Sequence, residues 1–177
     1  MHWFIRPAAF DDIPALEALI PLSVRKLQAE TYSITQIEAA LGTVFGVDAQ
    51  LIRDGSYNVA QAGSAIVGCG GWSRRKTLFG GDHAPAKDDR FLDPAREPAR
   101  VRAFFVHPAW ARRGIGRAIL AECEAAAAGM GFRALELAAT LAGVPLYTAG
   151  GFTAVETISV ALPNGLVLPV VRMRKCL

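Results

Sequence analysis

Apolar positions along this chain recur with a helical period in some stretches and a strand period in others. The changes between the two predict its elements. Behind Asp11 and Asp12, whose side-chain oxygens suit a helix N-cap, Ile13, Leu16, Leu19 and Ile20 fall at helical spacing. The pattern resumes after Pro21 through Leu22, Val24 and Leu27, and Ser33 or Thr35 is placed to cap a second piece, Gln36–Leu41. His2–Arg6 reads as a short apolar strand closed by Pro7. Arg53-Asp54-Gly55-Ser56 is a turn, and Tyr57–Gln61 with Ser64–Trp72, on either side of Ala62-Gly63, forms a hairpin pattern.

The second half is more regular once past residue 98. Val101–Val106 is a strand stopped by Pro108, and Gly114–Met130 is an Ala-rich helix that Gly129 or Gly131 ends. Arg133–Thr140 is a strand with Leu135 and Leu137 on one face. Val144–Ala149 is a short helix ending at Gly150-Gly151, and Val155–Leu162 and Leu166–Met173 close the chain as a hairpin around Pro163-Asn164-Gly165. The order β-α-α-β-β-β-α-β-α-β-β describes a mixed α/β domain with antiparallel ends and a central β-α-β unit. Between the halves, Arg74–Pro98 is rich in charge, Gly and Pro, with only Leu78-Phe79 and Phe91-Leu92 as apolar clusters. A connection of that length inside a domain serves as a lid, a binding loop or a disordered excursion. It reads as an insertion within one domain, spanning the whole chain, 1–177.

Composition narrows the class. A chain of 177 residues that is 52% hydrophobic and 20% charged can bury a full core, which excludes general disorder. No repeat of 20–50 residues occurs, and the 17 Gly and 10 Pro are scattered. The longest helical apolar stretch, Ile115–Met130, is interrupted by Arg117, Glu122 and Glu124, so no membrane span is expected. Nothing near Met1–Arg6 resembles an export signal. Cys69, Cys123 and Cys176 lack ligand spacing, and reduced thiols in the cytoplasm, with no metal, are the expectation. Cys69 reads as a buried strand cysteine rather than a reactive loop thiol. The net charge of +3 comes mostly from 15 dispersed Arg, which suits a small polyanion as well as nucleic acid. No aromatic and basic residues interleave as a nucleic-acid surface requires, so no nucleic acid is expected as a partner.

The chemistry concentrates after the strand Val101–Val106. His107-Pro108 shapes a turn, Arg112 and Arg113 follow, and Gly114-Ile115-Gly116-Arg117 opens a helix. Unpaired N–H groups at a helix start, glycines that admit close approach and arginines at the rim together make a cradle for a pyrophosphate. A P-loop is excluded because no lysine of the GxxxxGK[ST] pattern lies nearby. A dinucleotide fingerprint is excluded because its third small position falls on Ile119.

With Val106-His107-Pro108 and Arg112-Arg113-Gly114-Ile115-Gly116 in place, the chain resembles the GNAT superfamily of N-acetyltransferases. The family's phosphate loop is Gln/Arg-x-x-Gly-x-Gly/Ala after a strand ending in Val-x-Pro, and only its first position, here Ala111, departs. A second family motif, a strand and then a short helix with Tyr before Gly-Phe, resembles Leu135–Thr140 followed by Val144–Phe152, and Tyr147 lies 31 residues after Gly116. The resemblance implies the GNAT (acyl-CoA N-acyltransferase) fold: an α/β domain whose mostly antiparallel sheet is flanked by helices around a β-α-β CoA-binding unit. It implies acetyl-CoA as co-substrate, held by Phe105, Val106, Arg112, Arg113, Gly114, Ile115, Gly116 and Arg117. It further implies that a main-chain N–H near Phe105 or Val106 polarises the thioester carbonyl and that Tyr147 is the general acid. Acetyl transfer goes directly to an amine acceptor. Tyr32, Trp72 and Phe79 are candidates for the acceptor pocket. The family's base position falls near Arg100, Val101 and Arg102, so Glu97, Glu38, Asp88, Asp89 and a water relay stay open. A non-catalytic acyl-CoA sensor of the same fold is the alternative function, and the closing hairpin leaves room for a homodimer.

Overall fold

A computed structural model describes residues 2–85 and 87–177, so the charged segment 74–98 is followed on both sides of residue 86. Seven strands form one sheet: β1 (Phe4–Pro7), β2 (Tyr57–Ala62), β3 (Ala65–Ser73), β4 (Ala99–Val106), β5 (Ala134–Thr140), β6 (Thr153–Ala161) and β7 (Val167–Cys176). Their spatial order is β1-β2-β3-β4-β5-β7-β6, so β7 returns between β5 and β6. Every neighbouring pair is antiparallel except β4 with β5. The fold is thus the expected mixed α/β sheet with a central β-α-β unit.

The helices cover both faces. On one face lie α1 (Ile13–Leu27), α2 (Ile34–Ala40) and α3 (Ala49–Arg53); on the other lies α4 (Ile115–Gly129), with α5 (Val144–Ala149) at the end of β5. α4 buries Ile115, Ile119, Leu120, Cys123 and Ala127, a single stripe at helical spacing. Ile115, Ile119 and Leu120 each contribute about 1.5–3 kcal/mol on burial. α1 buries Leu16, Leu19, Ile20, Ser23 and Val24 against the opposite face.

Four local features differ from the sequence expectation. α1 runs unbroken through Pro21, because its buried stripe outweighs the missing hydrogen bond, a cost of about 3 kcal/mol. Asp12 does not cap it; its carboxylate takes two hydrogen bonds from Arg6 at 2.7 and 2.8 Å and one from the Ala9 N–H at 2.8 Å. α2 begins earlier than residue 36, since Ser33 and Gln36 form a reciprocal capping box. α3 is five residues long, too short to leave a periodic signal.

Two packing details fix the centre of the molecule. A Cβ on Gly68 would stand 2.6 Å from the Ile115 side chain, so only glycine there lets α4 settle onto β3. β4 carries a bulge against β3, with Ala103 at φ 57°. The bulge places Arg102 and Ala103 on the same face, and the Ala103 carbonyl accepts a hydrogen bond from the Tyr57 hydroxyl at 3.0 Å. No helix among the described residues is long and apolar enough to cross a membrane.

Candidate active site

β4 and β5 pair only at Ala99 with Leu135 and Arg100 with Glu136. Beyond these two pairs they diverge, leaving the cleft-side edge of Val101–Val106 without a strand partner. The opening is a cavity of about 650 Å³, with β4 as one wall and Ala138, Thr140 and α5 on the other side. Ala111, Arg112 and Gly114–Arg117 line it at the turn into α4, and Val44–Gly46 and Leu78–Gly80 line it from the connecting loops.

The phosphate end is built by backbone geometry. The His107 ring accepts a hydrogen bond from the Ala109 N–H at 3.1 Å and caps the short turn Pro108–Trp110. The chain then turns through two left-handed residues, Arg112 at φ 62° and Gly114 at φ 85°. For Arg112 this conformation costs about 1–2 kcal/mol, strain of the kind stored at binding turns. The first helical hydrogen bond of α4 runs from Ala118 to Gly114, and among the described residues the N–H groups of 112 through 117 have no acceptor. Successive free N–H groups at a helix start form an anion nest. Arg112 and Arg117 line it, whereas Arg113 turns away and stacks its guanidinium 5.0 Å from the Trp110 ring. Leu146 closes in at 3.2 Å from where a Cβ on Gly116 would stand, so a larger residue would crowd α5.

Midway, Phe104 and Tyr147 face each other edge-on with ring centroids 6.0 Å apart, and Phe152 backs Tyr147 at 5.9 Å. The Tyr147 ring is buried, and its hydroxyl makes no hydrogen bond with another described residue. Burial pushes its pKa well above the ordinary phenol value, so the hydroxyl stays protonated. Val106 points its N–H at the hydroxyl of Ser23, a buried residue of α1, at 3.2 Å. The sequence expectation missed Ser23, because a serine on a helical stripe carries no local sign of facing a ligand site. Phe105 lines the same wall and packs edge-on against Phe45 at 6.3 Å.

Of the three expected acceptor-pocket residues, only Phe79 lines the cleft. Tyr32 is a structural tie: its hydroxyl donates to the Pro169 carbonyl at 2.6 Å and accepts from the Leu141 N–H at 3.0 Å. Trp72 lies in the core beneath α4, edge-on to Phe132 at 6.0 Å. Trp72 is on β3 and Tyr32 on the bend between α1 and α2, and the fold turns both inward. Arg102 is an unforeseen cleft residue. It is buried, paired with the fully buried Asp48, and donates to the Thr77 carbonyl at 3.1 Å. Burial lowers its pKa to about 10, which still leaves it charged at neutral pH.

No carboxylate or histidine lines the cleft among the described residues. Glu38 pairs with Arg25, Asp88 with Arg90, and Glu97 with Lys76 while accepting the Asp93 N–H. Cys69 is buried in β3, its thiol pushed up to about 12 by desolvation. The segment 74–98 is tied to the body: Arg75 pairs with Asp54 at 2.7 Å, Lys87 with Asp48 at 3.4 Å, and Gly81 and Asp82 donate main-chain bonds to Thr43 and Val47.

Comparison with known proteins agrees with this geometry. The family model described as acetyltransferase (GNAT) domain matches residues 53–154, more than half of the chain. A GCN5-related N-acetyltransferase from Rhodopseudomonas palustris has a similar structure, with TM-score 0.72 and 21% identity over 98% of this chain and 95% of that one. The PaiA N-acetyltransferase of Thermoplasma acidophilum, solved in complex with coenzyme A, superimposes with TM-score 0.67 and 16% identity, covering all of both chains. YncA of Salmonella typhimurium, a putative acetyltransferase solved with acetyl-CoA, gives TM-score 0.62 and 18% identity over 99% of this chain and 94% of that one. No curated protein sequence matches the chain.

Proposed function

Because the chain belongs to the GNAT family of acetyltransferases, we propose that it transfers the acetyl group of acetyl-CoA directly to a primary amine. The observation that carries this reading is the continuity of the cleft. Free main-chain N–H groups and two arginines at one end lead along an unpaired strand edge to a buried phenol. The CoA pyrophosphate suits the nest at 112–117, where the helix start and the Arg112 and Arg117 side chains supply positive charge. The pantetheine arm suits the open edge of Val101–Val106, where it adds hydrogen bonds as an extra strand does. Ser23 can swing its hydroxyl aside and leave the Val106 N–H to a ligand carbonyl, and a donor aimed there stabilises the negative charge that builds on oxygen.

In the reaction the amine nitrogen adds its lone pair to the thioester carbonyl carbon. The C–N bond forms, the C–S bond breaks, and its electron pair leaves on sulfur. Nitrogen sheds one proton to water, and sulfur gains one from Tyr147, which is restored from solvent. A free thiol has a pKa near ~8.5 and an ordinary phenol near ~10, so complete transfer from Tyr147 to sulfur runs uphill. Burial steepens that slope. Tyr147 therefore acts chiefly as a hydrogen-bond donor to the developing thiolate, passing the proton late.

One observation favours a second reading, a non-catalytic acyl-CoA sensor: the lining has no carboxylate or histidine to act as base. Both readings expect acetyl-CoA binding. Thiol release measured against a panel of amines separates them, since the transferase releases CoA thiol only when an acceptor is present. Binding with no release across the panel would leave the sensor.

A further inference from the structure

Resting on the transferase reading, we propose that the acceptor is an uncharged, weakly basic amine on an apolar, ring-sized body, an arylamine in its simplest form. It sits against the wall that residues 44–46 and 78–80 build.

β4 runs along the cleft, from Arg102 beside Thr77 and Asp48 to Val106 near the nest. Beside β4 the cleft is lined by Leu27, Val44, Phe45, Leu78 and Phe79, with Phe45 against Phe105 and Leu78 next to the Thr77 that Arg102 holds. Of these, Val44, Leu78 and Phe79 are only half-buried and Leu27 is 37% exposed, so an apolar body lying on them gains contact area. The ionisable groups of the whole lining are Arg102, Arg112, Arg117 and Tyr147. Asp48, the carboxylate paired with Arg102, is spent on Arg102 and Lys87. Asp82 is held by the Ala49 N–H at 2.9 Å and faces Lys87. An ammonium brought here loses water and finds no counter-ion.

Nor does any base take a proton from it. A lysine-type amine, with a pKa near ~10.4, is free base in roughly one molecule in 2,500 at pH 7, whereas an arylamine arrives neutral and ready to attack. An acceptor carboxylate fares no better. The Arg102 donors that reach partners point at Asp48 and Thr77, and its Nε is out of solvent reach. The wall itself is preorganised, because Arg75–Asp54, Arg102–Thr77 and the Gly81 and Asp82 main-chain bonds pin segment 77–82 before any ligand arrives.

The test uses the full chain and four probes: para-toluidine, spermidine, the amide of Nα-acetyllysine, and free phenylalanine. Acetyl-CoA binding is measured first by calorimetry, then kcat/KM for each probe by thiol release. The expected result is at least about tenfold preference for para-toluidine over each of the others. Phe79→Asp, which puts a carboxylate on the wall, should cut that preference over spermidine by about tenfold, and Phe79→Asn by less. A chain that binds acetyl-CoA but acetylates spermidine or the lysine derivative better overturns this proposal and keeps the transferase reading. A chain that binds it and releases thiol with none of the probes counts against both.

Discussion

Replacing Tyr147 by Phe isolates one hydroxyl. The ring keeps its edge contacts with Phe104 and Phe152, and the lost hydroxyl holds no other described residue. Stability should therefore move by no more than about 0.5 kcal/mol, and acetyl-CoA affinity should hold. A hydrogen bond to a charged atom is worth about 1.5–3 kcal/mol. At ~1.36 kcal/mol per factor of ten, its loss from the transition state lowers kcat roughly 10- to 150-fold. Steady-state thiol release at saturating acetyl-CoA reads kcat, and a thermal melt of the same sample reads stability. The sign of the pH effect is also fixed. Burial raises the phenol pKa, so the hydroxyl stays protonated up to and beyond its ordinary value, and this group should give no alkaline fall in rate below about pH 10. A kcat unchanged within about twofold, or a loss confined to KM, would refute the assignment.

Three further outcomes can be checked separately. Asp48→Asn strands the buried Arg102 cation; leaving such a charge alone costs about 3–5 kcal/mol, and the melting temperature should drop on the order of 10 °C. A thiol reagent should label one cysteine per native chain, the exposed Cys176, and three after denaturation, because Cys69 and Cys123 are buried with their thiols pushed up by desolvation; two fast native thiols would contradict this. Hydrogen bonds from Arg75 hold the Asp54 carboxyl below the usual carboxylate range. Its contribution to anchoring segment 74–98 is present above the unfolded value near pH ~4 and lost as pH falls through the lower folded value. Hydrogen exchange in that segment, corrected for intrinsic rate, should stay flat from neutral pH to about pH 4 and rise below it.

The features legible in the sequence are those carried by local chemistry. The turn through Arg112 to Gly116 declares itself because glycines, arginines and a helix start stand within a few residues, and Val144–Ala149 is bounded by its own Pro and Gly pair. What stayed hidden depends on distant partners. A hairpin at 153–176 says nothing about which strand lies beside β5, and its second strand takes that place. Arg102 reads as a solvated charge until Asp48, 54 residues earlier, is packed against it. The bulge at Ala103 reverses the alternation that separates inward from outward side chains, and no residue type there announces it. Tyr32 and Trp72 look like pocket aromatics by position, yet the fold gives one to a backbone tie and the other to the core.

The two-pair ladder between β4 and β5 also has a mechanical meaning. It joins β1–β4 to β5–β7 by one short line of backbone bonds, where the Arg100–Glu136 ion pair also stands. The two halves of the sheet are otherwise held by side chains packed across that line on both faces, under α4 and under α1 and α2. The load that backbone bonds carry elsewhere in the sheet thus falls here on the hydrophobic core.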